Sequence, residues 1–148
     1  VFKEPEKLAG FNAENIRKAR KVRDGADNML QLVAKHKLET FAGADLWQEG
    51  VITKTPEDMV LRKRWFKDVE ILRQNTSYAA KWLTKSGTKN PYREGPLGVI
   101  EEGAYADMLL VEGNPVEDVS ILADWQNNIR LIMKDGEIYK NNSKEKNE

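Results

Sequence analysis

The hydrophobic pattern changes period near Gly98, and nothing else in the sequence constrains the fold as strongly. Up to about residue 87, apolar side chains return every three or four positions; between 95 and 140 they come in short runs separated by turn residues. A period of 3.6 builds helices and a period of 2 builds strands. The order helices then strands points to an α+β chain. Residues 1–90 are expected to be helical with one strand near 38–42, residues 91–140 to form a small β-sheet, and the polar run 141–148 to be a disordered tail.

Ile16, Ala19, Val22, Ala26, Met29 and Val33 make one apolar stripe, with Asn12 as the cap that opens the helix. Gly25 sits in the middle of it, where it costs roughly 1 kcal/mol relative to alanine; a bend or a close contact is expected there. Thr55-Pro56-Glu57-Asp58 is a second helix start, with Pro at the first position and two carboxylates where the helix dipole favours them. The spacing of Leu61, Trp65, Val69 and Leu72 carries that helix on. Thr76 then opens a shorter one, with Tyr78, Ala79, Trp82 and Leu83, that ends at Gly87.

Beyond the change of period, Gly98-Val99-Ile100 and Ala106–Val111 flank the turn Glu101-Glu102-Gly103. Ile129–Met133 and Glu137–Tyr139 flank Lys134-Asp135-Gly136, and Asp-Gly is a two-residue hairpin signal. Asn114-Pro115 and a helix-like stretch from Val116 to Leu122 bridge the two halves.

Composition excludes several classes. There is no cysteine, so no disulfide framework, thiolate zinc cluster or cysteine nucleophile. Twenty-four basic residues balance 24 acidic ones, which argues against nucleic-acid binding through excess charge. No run approaches the roughly 18 apolar residues of a membrane span, and Val1-Phe2-Lys3-Glu4-Pro5 lacks the apolar centre of a signal peptide. The chain reads as soluble, cytoplasmic or periplasmic, with no nucleic-acid or membrane partner; its valine start suggests processing or truncation. A single histidine, His36, leaves too few imidazoles for a His-rich metal site or a free choice of Ser-His-Asp relay.

A family resemblance rests on the C-terminal residues. Gly98-Val99-Ile100-Glu101-Glu102-Gly103-Ala104-Tyr105-Ala106-Asp107, the apolar run to Val111, and Met133-Lys134-Asp135-Gly136-Glu137 resemble the chain end of metal-dependent amidohydrolases. There a "G-x-I-x-x-G-x-x-A-D" turn and a late "M-K-D-G-K" hairpin mark the return of the chain to a small β-sandwich beside a TIM-like barrel. Gln74–Leu83 is similar to the family's "A-T-x-N-A-A-x-x-L", and the nearest likeness is to the imidazolonepropionase and Xaa-Pro dipeptidase-like branch. The resemblance implies an α+β fragment: the last helices and eighth strand of the barrel, followed by the C-terminal strands of the sandwich.

Ala42-Gly43-Ala44-Asp45 looks like the "G-T-D" that ends the eighth barrel strand, with Ala44 where the family often has threonine. The resemblance makes Asp45 both a metal ligand and the general base toward the attacking water, at the carboxyl end of a strand where barrels display their chemistry. The implied cofactor is a divalent metal, zinc, in the complete enzyme, and the implied substrate a small molecule or dipeptide. The family's other ligands are a His-x-His pair, a lysine or glutamate and two single histidines. This sequence has none of them at strand ends. It matches only about the last third of the family's length, so the chain alone is expected to hold no metal and to be inactive.

The remaining signals have ordinary readings. His36 suits a helix C-terminus. Arg17–Arg23 and Arg62-Lys63-Arg64 read as solvated faces. Trp65, Phe66 and Trp82 read as packing, and Asp107, Asp135, Glu101 and Glu102 as turn or strand-edge residues. An alternative to the enzyme fragment is a stand-alone α+β module that binds a partner through apolar surfaces. On either reading the chain meets the rest of a barrel or another copy of itself, and a homo-oligomer is expected.

Overall fold

The first helix begins where the sequence places its cap. Asn12 accepts the Asn15 N–H at 2.9 Å through its side-chain oxygen, satisfying one of the free donors of the first turn. The computed structural model describes residues 10–43 and 55–143, and the chain falls into two units, Val1–Glu39 and Thr40–Glu148.

In the first unit, α1 spans Ala13–His36. Glu14 and Lys18 pair across one turn at 2.8 Å. The helix runs through Gly25 without a break, and a Cβ built there would meet nothing within 4 Å, so Gly25 makes no close contact among the described residues. Ala19 on the apolar stripe is buried, whereas Val22 and Met29 are more than half exposed. Lys37 closes the helix in the left-handed conformation, its N–H turned back to Ala34 and Val33.

That closure corrects the expected strand at 38–42. Leu38 is spent on a hydrogen bond back to Val33, and residues 38–43 carry no strand. A strand exists only as part of a ladder, and this segment is in none; its Ala42 N–H donates to the Gln74 carbonyl at 3.0 Å.

In the second unit, α2 spans Thr55–Arg62 with Glu57 and Asp58 in its first turn, and α3 spans Asp68–Asn75. The apolar spacing predicts one continuous helix here; the structure breaks it. Trp65 and Phe66 both donate to the Arg62 carbonyl at 3.0 Å, tightening the end of α2. No glycine or proline marks the break. It is set by tertiary contacts: the Lys63 ammonium lies 3.2 Å from Asp68 and 2.6 Å from Asp118, and Phe66 turns onto the core.

α4 spans Ser77–Leu83, as the spacing predicts, and Thr76 stands at its N-cap but makes no side-chain capping bond. The Thr76 hydroxyl donates to the Leu72 carbonyl at 2.8 Å and closes α3 instead. A 3₁₀ turn, Thr84–Lys89, follows, with Gly87 outside helical geometry.

The β-rich part is a three-stranded antiparallel sheet in the order β1-β2-β3, with β1 Met108–Val111, β2 Ile129–Lys134 and β3 Glu137–Asn141. Asp135 and Gly136 both have positive φ, 52° and 79°, the primed turn that matches strand twist. Gly98–Ile100, expected as a strand, is not one. Gly98 has φ +73°, and a Cβ there would come within 2.7 Å of the Thr76 main chain. The backbone turns against the start of α4 rather than running along the sheet, and Ile100 is left 89% exposed.

Between β1 and β2 the bridging stretch forms a 3₁₀ helix, Val119–Asp124, and a single turn, α5 Trp125–Asn128. Ile71, Val119 and Leu122 form the buried core, joined by Met59, Phe66, Leu72, Val111 and Ile121. The core lies where α2, α3 and the 3₁₀ helix meet the sheet, so the helical and β-rich parts of this unit share one interior. No described helix is long and apolar enough to cross a membrane.

Candidate functional site

Asp45, to which the resemblance assigns the metal and the proton, lies outside the described residues. Its nearest described neighbours, Phe41 to Gly43, are held at two points. The Phe41 ring lies against Trp82 of α4 at a centroid distance of 5.6 Å, and the Ala42 N–H donates to Gln74 at 3.0 Å. The acceptor is one of the last carbonyls of α3, which have no partner within the helix.

Gln74 is fully buried, an unusual place for an amide side chain. Its Oε1 accepts from Arg62 Nη1 at 2.9 Å, and Arg62 Nε in turn donates to Asp58 Oδ2 at 3.1 Å. The Arg62 and Asp58 side chains are 12% and 18% exposed. A partly dehydrated guanidinium is thus neutralised by a carboxylate one helical turn away and fixed by a buried amide. The Gln74 Nε2 group has no hydrogen-bond partner.

These contacts correct the reading of Arg62-Lys63-Arg64 as a solvated face for Arg62 alone; Lys63 and Arg64 are exposed. Arg62 points inward and Lys63 bridges two carboxylates; Arg64 alone of the three stacks on a neighbouring ring, that of Trp65, at 4.7 Å. The i,i+4 spacing of Asp58 and Arg62 was a signal for their pairing. The sequence carries no local signal for the burial of Gln74.

Two further charged clusters are fully committed to structure. Lys63 bridges Asp68 and Asp118, and Asp118 also accepts from the Ser120 N–H and hydroxyl. These bonds, the lysine first, hold the Asp118 carboxyl down to about 2 from the ordinary 3.8, and raise the Lys63 ammonium. Asp107 accepts the Asp135 N–H at 2.8 Å and pairs with Lys134 at 2.9 Å. The backbone bond is the main cause of its lowered pKa. Lys134 also lies 4.9 Å from the Tyr92 ring centre. Asp107 therefore staples the hairpin, in keeping with a strand-edge role.

An open groove of about 250 Å³ runs between α4 and the loop 90–101. Its buried polar residue, Asn90, spends its side chain on the Tyr92 carbonyl and N–H. His36 is exposed in the last turn of α1.

Among the described residues no group of three or more His, Cys, Asp or Glu side chains could hold a metal ion. The donor set present does not fit a metal of the implied kind.

The fold defines the class to which this chain is similar. No family model matches it, and no curated protein does, but solved structures do. An amidohydrolase is matched with a TM-score of 0.76 and 25% identity over 95% of this chain and 32% of that one. A prolidase complexed with N-methylphosphonate-L-proline is matched at 0.71 and 27% identity, over 89% and 30%. A second crystal structure of that same protein, described as uncharacterized, is matched at 0.73 and 26%, over the same shares. The likeness supports a hydrolase fold of the amidohydrolase superfamily. The chain spans about a third of the length of each of these neighbours.

Proposed function

We propose that this chain is the C-terminal portion of a metal-dependent amidohydrolase that cleaves a C–N bond of an amide, cyclic amide or dipeptide. One observation carries the reading: nearly all of this chain overlays an amidohydrolase and a prolidase, while it accounts for only about a third of either. The order of the "G-x-I-x-x-G-x-x-A-D" turn and the Asp135-Gly136 hairpin agrees with it. In the complete enzyme a bound divalent metal, zinc by family resemblance, would supply an activated water near neutral pH. Asp45 is the residue of this chain proposed to ligate that metal and to take the proton. The rest of the ligands and the loops that select substrate would belong to the remaining two thirds. A small molecule or dipeptide is the proposed substrate, and a homo-oligomer the proposed assembly.

The test is the reading frame upstream of Val1 and its product. The frame should contain a His-x-His pair. The full-length protein should bind metal and hydrolyse N-acyl amino acids or Xaa-Pro dipeptides, with Asp45→Asn lowering turnover at least a hundredfold. The 148-residue chain by itself should do neither. Stoichiometric metal and turnover in the isolated chain, or a full-length protein with no such pair and no hydrolysis, would overturn the proposal.

A further inference from the structure

We draw no further inference here: the strongest candidate, the apolar face of the three-stranded sheet that carries Met108, Leu110, Leu131, Met133 and Ile138, carries nothing because nothing in the structure shows what covers it.

Discussion

Gly98 and Gly103 occupy the same turn motif and both have positive φ, 73° and 80°, yet they do different work. A Cβ on Gly103 would meet nothing within 4 Å, whereas one on Gly98 would lie 2.7 Å from the carbonyl carbon and oxygen of Thr76. Those are main-chain atoms and cannot rotate away. Gly103→Ala should therefore cost only the left-handed strain, roughly 1–2 kcal/mol. Gly98→Ala adds a collision that must push the loop off α4, and the combined loss should exceed about 3 kcal/mol. Urea titration followed by tryptophan fluorescence separates the two; equal losses would show that the loop does not pack on Thr76 as described. The pair also shows what a motif reports at the scale of one residue. Both glycines stand out in the sequence as turn residues, but only the packing tells which of them another element touches.

At the scale of elements, the informative feature is the break between α2 and α3 and the bridge that spans it. Lys63 leaves the end of α2 to meet Asp68 at the start of α3 and Asp118 at the start of the 3₁₀ helix, and the Val119 N–H donates to Asp68 at 3.1 Å. Three elements are joined around one ammonium group. Asp118 falls to about 2 from 3.8 on folding, so the folded state binds this proton more weakly than the unfolded one. The stability it contributes is complete above pH 4 and is lost as pH falls through 4 toward 2. Asp118→Asn keeps an acceptor for Ser120 and removes the titration. Between pH 5 and pH 2.5 the urea midpoint of the parent should fall further than that of Asp118→Asn; identical falls would mean that Lys63 does not hold the carboxylate. The same break limits what sequence can reveal. The apolar spacing of Leu61, Trp65, Val69 and Leu72 is truly helical on either side, so no local signal tells one helix from two. The caps and turns with local chemistry, Asn12, Pro56 and Asp135-Gly136, were legible. The break, the buried Gln74 and the loop at Gly98 were not, because each is decided by residues distant in sequence. The strand near 38–42 failed for the same reason, since its partners would have to come from elsewhere. Of the candidate site, Asp45 was named by resemblance and lies outside the described residues.

At the scale of the whole molecule, the interior is small for the chain that surrounds it. Buried hydrophobic residues among those described are few: Ala19, Ile71, Val119, Leu122 and Ile129. Many large apolar side chains remain in contact with water instead. In the first unit Val22, Met29 and Leu32 of α1 are 54–56% exposed, and in the second Leu109, Leu110, Ile138 and Tyr139 of the sheet are 49–66% exposed. On the sheet Leu110 and Ile138 share a face with Met108, Leu131 and Met133, since Met108 and Leu110 of β1 pair with Met133 and Leu131 of β2 and Ile138 of β3 pairs with Met133, whereas Leu109, paired with Ile132, stands on the opposite face. An apolar sheet face open to water normally marks an interaction surface. Covering even four such side chains is worth several kcal/mol at roughly 25 cal/mol per Å², enough to drive association of a chain whose total stability is of the order of 5–15 kcal/mol. The isolated chain should therefore self-associate at micromolar concentration and bind an apolar dye. Replacing Leu110 and Ile138 by threonine, which suits a strand and is more polar, should lower both together. Light scattering that finds a monodisperse monomer without dye binding would show that these faces are tolerated in water, and the proposal that the chain requires a mate would fall with it.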